Sequence, residues 1–439
     1  MHQYNDHYVS VNKKFVLSLS LALLWAIFSV WLARFWFGDL TKHLGIFISG
    51  FLVFFIAILP GFFNVFMFLS LLLDRRPNRK PLKRYPSISI LVAAFNEEKN
   101  ISDTLLSIYK QDYPGNFEVI VINDGSTDQT KFYVNKLKRK FSWLKLINIK
   151  KNQGKALCLN AGLRISRYPL IITLDGDSFL YKDALVRIVE RYKNDPPNTR
   201  AVAGTVMVKN SRENWVTQAQ EWDYFHGIAT VKRVQSLNHC TLVAQGSFSL
   251  YEKKALKEIY GWRDTIGEDI VLTWALLEKN YRIGYCEDSV AFTVVPNTFL
   301  GWLRQRRRWA RGMLEAFQYH PSLLFKPSKT AFFVWIDFFF PFIDFAFTFG
   351  FIPGIIAACF GYFWIVGLIT LSLIPVAFLL NWIMYAVESN MYKKQNLHVR
   401  KNILGFFIYT VFYSIVMQPI TLAGYFYEVF GARKTWGVK

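Results

Sequence analysis

Two long apolar runs open the chain. Residues 15–37 are apolar apart from Arg34, placed near one end where its head can reach an interface, and residues 44–73 are a 30-residue stretch without a charge, interrupted by Pro60. A hydrocarbon core takes about 20 helical residues, so each run is long enough to cross one. The first is also too long, and too Trp-rich towards its end, for a cleaved signal peptide. From residue 86 to about 296 the pattern changes. Near-continuous β-branched runs at 87–94, 118–122 and 170–174 predict strands bounded by turn residues, and 96–110, 126–141 and 154–166 predict the helices between them. Alternation of that kind predicts an α/β fold with a mostly parallel sheet covered on both faces. Membrane-like sequence resumes near Ala331, residues 345–387 have room for two spans, and a last apolar stretch covers 402–427. The implied division is 1–74 (two membrane helices), 75–296 (soluble domain), 297–330 (an amphipathic interfacial helix) and 331–439 (C-terminal membrane helices and a basic tail).

Composition supports a membrane enzyme over a soluble one: 52% of residues are hydrophobic and 18% aromatic. The formal charge of +21 suggests a polyanion partner, but the basic residues cluster beside the apolar runs. Lys13 and Lys14 precede the first run, and Arg75, Arg76, Arg79, Lys80, Lys83 and Arg84 follow the second, while Lys42 is the one Lys or Arg between them. By the positive-inside rule the N-terminus and the soluble domain are cytoplasmic, at a cell inner membrane and multi-pass. Anionic lipid accounts for the charge, and with no nucleic-acid-binding pattern present, nucleic acid is not an expected partner. Lys393, Lys394, Arg400 and Lys401 mark a further cytoplasmic loop. The tail after residue 431 is basic too, so 402–427 is expected either to be re-entrant or interfacial around Pro419, or to reveal one crossing more or fewer elsewhere. The four cysteines (Cys158, Cys240, Cys286, Cys359) form no CxxC pair and read as reduced thiols.

Carboxylates stand at the carboxyl ends of the predicted strands, where open α/β sheets bind ligands: Glu97, Asp124, Asp175 and Asp177. Capping the next helix is the ordinary use of such a residue. Four on one rim, with Asp175-Gly176-Asp177 among them, point instead to a divalent cation, Mg²⁺ or Mn²⁺, shared between a carboxylate or two and substrate phosphates. Asp124, on a tight turn, can accept hydrogen bonds from a uracil or ribose, although it can equally cap. Lys155 near a helix start suits a phosphate, or is a solvated lysine.

Six motifs in order, Phe95-Asn96-Glu97-Glu98, Asn123-Asp124-Gly125-Ser126-Thr127-Asp128, Asn152-Gln153-Gly154-Lys155-Ala156, Asp175-Gly176-Asp177, Gly267-Glu268-Asp269 and Gln305-Arg306-Arg307-Arg308-Trp309, resemble those of inverting family-2 glycosyltransferases with a GT-A fold. Within these the chain is most similar to the processive membrane synthases that make poly-N-acetylglucosamine, hyaluronan, chitin and cellulose. The resemblance covers residues 85 to 315. It implies a UDP-sugar donor, UDP-N-acetylglucosamine first, held by Glu97, Asp124, Lys155, Asp175 and Arg308. It implies Asp175 and Asp177 at the metal, Asp269 as the base with Glu268 supporting it after a flexible Gly267, and Gln305 and Trp309 at the acceptor and diphosphate. It implies a growing β-linked polysaccharide as acceptor, with a small membrane partner subunit conceivable. The alternative is a non-processive enzyme adding one sugar to a lipid, and a catalytically silent scaffold or transporter is a third reading. On the Gln305–Trp309 helix, Trp302, Leu303, Trp309 and Met313 predict an apolar face, and Arg304, Arg306, Arg307 and Arg311 are expected to reach lipid headgroups. Residues 214–227 predict an aromatic helix, as core or along the acceptor path. In the Gln245-Gly246-Ser247-Phe248 loop, Glu252 or Lys253 stands where relatives carry a basic residue.

Overall fold

The computed structural model describes residues 8–431 apart from 75–76, 78, 367–374, 376–377, 380, 387–388, 390–391, 394–395 and 398–400. Arg75, Arg76, Lys394, Arg400, the tail 432–439 and much of the expected second crossing within 345–387 thus lie outside the described residues.

The soluble domain is an eight-stranded mixed sheet in the order β3-β2-β1-β4-β7-β6-β8-β5. Its strands are β1 (Ile88–Ala94), β2 (Phe117–Asp124), β3 (Leu144–Ile149), β4 (Leu170–Asp175), β5 (Ser178–Leu180), β6 (Thr199–Val208), β7 (Phe248–Glu252) and β8 (Arg282–Thr293). The first four run parallel, as the apolar strand pattern predicts. The other half departs from that expectation, since β7 is antiparallel to β4 and β6, and β5 to β8. Every residue of β1 is buried, as a strand covered on both faces requires. Its alternate side chains enter two different cores. Leu91 and Ala93 join one that reaches Phe66 and Phe333 in the apolar helices, whereas Ile88, Ile90 and Val92 pack with Leu105 and Ile188 on the other face.

Helix α1 (Val11–Val53) is broken at Gly45 and runs on through the π-helical segment Phe54–Ile58 into α2 (Leu59–Leu72), so the part of α1 before the break forms a hairpin with the rest of α1 and α2. The chain reverses at Gly45, whose φ of 73° lies in the region open to glycine, and Phe15 then meets Phe66 with ring centroids 5.7 Å apart. In the domain follow α3 (Ile101–Tyr109), α4 (Thr130–Lys138), α5 (Lys155–Ile165), α6 (Ala184–Asn194), α7 (Trp215–Trp222), α8 (Val231–Leu237), α9 (Lys253–Glu258) and α10 (Glu268–Glu278). A π-helical segment, Asp223–Thr230, joins α7 to α8. Then come α11 (Phe299–Tyr319), α12 (Lys329–Ala346), α13 (Ile352–Cys359), α14 (Ile403–Val411) and α15 (Tyr413–Val429).

Among the described residues, Val11–Leu72 and Lys329–Cys359 are the helical stretches long and apolar enough to cross a membrane, with α14 and α15 a third only if a 56° bend between them is ignored. That bend falls at Phe412, not at Pro419, which lies inside α15. Helix α15 runs alongside α11: Trp302 meets Tyr413, Gly424 lies against the Arg307 carbonyl, and Arg311 pairs with Glu428 at 2.9 Å.

Candidate active site

Strand β4 ends in Asp175, and after Gly176 the chain moves to the far edge of the sheet, where β5 pairs with β8. Gly176 is fixed there by a hydrogen bond from its N–H to the Ala93 carbonyl, 3.1 Å, so the two carboxylates stand on either side of a pinned glycine. Asp177 Oδ1 accepts from the Thr293 hydroxyl at 3.2 Å. Asp175 Oδ1 receives the Lys155 ammonium at 2.6 Å. The same ammonium lies 3.5 Å from Glu268 Oε1, at the first turn of α10. Lys155 is therefore no solvated lysine. Burial alone would strip its proton, but Asp175 and Glu268 outweigh burial and raise its pKa.

Glu268 and Asp269 differ. Glu268 is 6% exposed, and burial pushes its carboxyl up to about 7, against the pull of Lys155 and with the help of the Asp269 charge. Asp269 is half-buried, oriented by its Oδ2, which accepts the Gly246 N–H at 3.2 Å, and by Oδ1, which accepts the Ile270 N–H at 2.8 Å. Carboxylate oxygens keep further acceptor capacity after one bond each, so Asp269 can still take a hydroxyl proton. Gly246 is required for close approach: a Cβ there would lie 2.6 Å from Lys155 Nζ.

The expected flexibility of Gly267 is not what the structure uses. A Cβ at Gly267 would meet Gly312 Cα of α11 at 2.5 Å, and the Gly267 N–H donates to the fully buried Glu315 at 2.9 Å. Two glycines bring the backbones of the Glu268–Asp269 turn and of α11 together. Helix α11 thereby delivers Gln305, Arg308 and Trp309 to the same cleft, about 2120 Å³, that Glu97, Lys155, Asp175, Asp177, Glu268 and Asp269 line. Gln305 Oε1 is buried without a hydrogen-bond partner among the described residues, as fits an atom that meets a ligand or water. Trp309 presents its indole to the cleft at 38% exposure.

Asp124 is the one predicted site residue that does not line the cleft. It is fully buried, and its two oxygens accept the N–H groups of Gln153 and Gly154, each at 2.9 Å, which fastens the loop before Lys155 to the end of β2. Glu97 Oε2 accepts from Asn100 at 3.0 Å in a loop that replaces the first part of the expected 96–110 helix, because Asn96 takes a φ of 54°.

The headgroup assignment fails for two of the four α11 arginines, and the other two line the cleft. Arg306 is buried against Asp223, and Arg311 is buried against Glu428, whereas Arg304 is exposed and Arg307 half-exposed. Trp302 and Met313 do pack inward, but Trp309 does not. In the 214–227 stretch, Trp222 and Phe225 pack with Tyr385, and Tyr224 lines the cleft. Lys232 of α8 is a cleft residue that sequence reading missed. Its ammonium meets the Gln245 side-chain oxygen, and burial pulls its pKa down to about 8 against the pull of Asp269. Beside Arg233 in the mixed helix Val231–Leu237, this lysine carries no local signal that sets it apart from a surface lysine.

A divalent cation fits the residues only in part. Among the described residues no three His, Cys, Asp or Glu side chains cluster to cage one. Asp177, with Asp175 beside it, offers hard oxygen ligands on the open side of the cleft, and Mg²⁺ and Mn²⁺ bind through one or two carboxylates plus substrate phosphates.

Residues 89–260 match the family described as Glycosyl transferase family 2. The chain is 35% identical over 226 residues to a poly-beta-1,6-N-acetyl-D-glucosamine synthase of Staphylococcus epidermidis, covering 51% of this chain and 54% of that protein. It is 33% identical over 239 residues to the synthase of the same name from Staphylococcus aureus strain COL, covering 54% and 57%. The chain thus spans about half the length of the curated relatives it matches. Among solved structures, the mannosyltransferase PcManGT from Pyrobaculum calidifontis, in complex with GDP-Man and Mn²⁺, superposes with a TM-score of 0.58 at 17% identity, over 97% of this chain and 100% of that one. The sheet, its strand-end carboxylates and the sequence match agree: residues 89–260 are similar to a glycosyl transferase family 2 domain, the fold is of the GT-A kind, and it is joined to helices long and apolar enough for a membrane.

Proposed function

We propose that the chain is a processive inverting glycosyltransferase that extends a β-linked polysaccharide, with UDP-N-acetylglucosamine the first choice of donor. One observation carries this reading. A single cleft collects Asp175, Asp177, Lys155, Glu268, Asp269, Gln305, Arg308 and Trp309 from segments far apart in the chain. The names of the staphylococcal relatives support the sugar and the polymer.

In this reading the nucleotide-sugar lies over the strand ends, with Glu97 beside it and Asp124 holding the Lys155 loop behind it. Asp177, with Asp175, would hold Mg²⁺ or Mn²⁺, which supplies charge stabilisation for the departing diphosphate. Arg308 adds a guanidinium suited to the same phosphates. Asp269 takes the proton of the acceptor hydroxyl as that oxygen attacks the anomeric carbon from the face opposite the leaving group, which inverts the configuration. Glu268 and Lys155 link the two ends of this machinery, so the acidic side of the acceptor site and the phosphate side share one buried proton-bearing pair. Trp309 gives the terminal sugar an apolar face to stack on. In the same reading the enzyme is a multi-pass protein of a cell inner membrane with its catalytic domain cytoplasmic, in contact with membrane lipid and with a small membrane partner subunit, and the two long apolar helical stretches support a membrane setting.

The test uses the full chain in nanodiscs with Mg²⁺ or Mn²⁺, offered UDP-N-acetylglucosamine, UDP-glucose and UDP-glucuronate separately. UDP release with a high-molecular-weight product, abolished by EDTA and by Asp269→Asn, is the expected result. A single-sugar glycolipid as the only product would replace the polymer reading with the lipid-acceptor one, and no release from any donor would defeat both.

A further inference from the structure

Arg306 is 5% exposed and lies against two neighbouring aromatic rings that line the cleft. Its guanidinium carbon is 4.0 Å from the centroid of the Trp309 ring and 5.9 Å from that of Tyr224. The two rings are themselves 6.1 Å apart at 57°. On its other side the guanidinium meets the buried carboxylate of Asp223, the first residue of the π-helical segment. The contact is a charge pair and not an aligned hydrogen bond, because Arg306 Nε and Nη2 and Asp223 Oδ2 lack a hydrogen-bond partner of proper geometry among the described residues. Asp223 is held in turn by the Tyr413 hydroxyl, which donates to Oδ1 at 2.8 Å from the start of α15. Gly227 leaves room for this carboxylate: a Cβ there would come 2.9 Å from Asp223 Oδ1 and 3.1 Å from the Tyr409 hydroxyl and would have to displace one of them.

We infer that Arg306 is a positioning residue: stacked under Trp309 and clamped by Asp223, it fixes the indole at the angle the acceptor sugar needs, and ties that angle to α15. An indole at 38% exposure, left to itself, samples several rotamers, and a stacked sugar gains affinity from a ring already held in place. Arginine suits the task where lysine does less, because its planar guanidinium can stack on the indole while its edge faces a carboxylate. The π-helical segment puts an extra residue into the turn that carries Asp223 and Tyr224, a device that recurs at functional sites. This inference rests on the proposed acceptor role of Trp309, and the experiment separates the two.

The full chain is labelled with 5-fluorotryptophan and placed in nanodiscs, and the ¹⁹F resonance of Trp309 is identified by its loss in Trp309→Phe. Arg306→Met leaves Asp223 as an uncompensated buried charge, so the decisive variant is Arg306→Met/Asp223→Asn, which removes both charges. In that variant the Trp309 resonance shifts and broadens, and Arg306→Lys restores it in part. With UDP-N-acetylglucosamine as donor, the double variant makes polymer shorter by about tenfold, the size of a desolvated cation–π contact, with a smaller loss of UDP release. An unchanged Trp309 resonance in the folded double variant overturns the positioning role, whatever the enzyme's sugar. A resonance that moves, in a protein whose wild type releases no UDP from any donor, upholds the positioning role and overturns the functional reading instead.

Discussion

The two halves of the cleft are built on different principles. On the donor side, β1, β2 and β4 carry their functional residues on short local motifs and supply the support themselves: Asp124 is satisfied by backbone N–H groups, and Gly176 bonds back to β1. On the acceptor side, helices α8, α10 and α11 have no ladder to share, so their placement depends on partners far away in sequence. Gly267 presses on Gly312, Arg306 pairs with Asp223, and Arg311 pairs with Glu428. A sheet carries its own register, whereas packed helices need specific close approaches and buried charge pairs to fix theirs. Damage on the acceptor side should therefore spread, and damage on the donor side should stay local.

The largest effect expected is on the acceptor side of the chemistry. Asp269→Asn removes the base and keeps only one of the two backbone contacts that orient it, since the amide oxygen accepts either the Gly246 or the Ile270 N–H and the amide nitrogen accepts neither, so the rate of sugar transfer should fall by about 10²–10⁴, the usual contribution of a general base. Binding of UDP, measured by calorimetry, should change little. If UDP binding fell as steeply as turnover, the division of the cleft into two independently built halves would be wrong.

Next in size is a pair of glycine substitutions. Gly267→Ala forces a Cβ to within 2.5 Å of the Gly312 backbone, which must shift α10 from α11 and should cost about 1–3 kcal/mol, with transfer activity lost alongside stability. Gly154→Ala on the donor side meets nothing closer than 3.9 Å, but its φ of 95° and ψ of 157° lie in a region essentially confined to glycine, a strain of about 1–3 kcal/mol that displaces no neighbouring element. Loss of UDP release beyond what the lowered melting temperature accounts for is therefore expected for Gly267→Ala and not for Gly154→Ala. Equal losses of UDP release at equal melting temperature would break the comparison.

The same division explains what the sequence made legible. The strand-end carboxylates could be read because strand, turn and acidic residue are neighbours in the chain, and the apolar runs announced the hairpin that turns at Gly45. The antiparallel strands β7 and β5 could not be read, since short apolar segments do not state which edge they join. The purpose of Gly267 depends on Gly312, and the burial of Arg306 depends on Asp223. A helical wheel of α11 alone assigns that arginine to the lipid surface, because the wheel does not contain its partner. Lys232 was overlooked for a similar reason: beside Arg233 in a mixed helix it looks like an ordinary surface lysine, and the Gln245 loop that receives it lies beyond α8.

Glu268 sharpens the comparison through pH. With its carboxyl pushed up to about 7 by burial, against an unfolded value near 4.5, the folded protein binds a proton that the unfolded chain has released. Stability should therefore decline as pH rises from about 4.5 to about 7 and level off above that, by on the order of 1–2 kcal/mol. Thermal unfolding of wild type and Glu268→Gln across that range checks it, since the glutamine variant lacks this slope. A wild-type curve parallel to the variant's would mean that Lys155 keeps Glu268 ionised throughout.

The smallest effect belongs to the donor side, and its sign is opposite. Glu118 of β2 is buried, which alone would raise its pKa, but hydrogen bonds from Lys145 at 2.6 Å, the Arg167 N–H at 2.6 Å and the Ser89 hydroxyl at 2.8 Å prevail and lower it. A depressed carboxylate stabilises the fold above its unfolded value near 4.5, and that stability is lost as pH falls through the folded value. Lys145 is one-third exposed, so solvent screens its share, and the two remaining donors keep the carboxylate satisfied when it is gone. Lys145→Ala should thus cost about 0.5–1 kcal/mol at neutral pH, with the difference from wild type fading towards pH 3, as read by chemical denaturation. A loss as large as that of Gly267→Ala would mean that the sheet, too, depends on single long-range contacts, and that its ladder does not carry the load the comparison assigns to it.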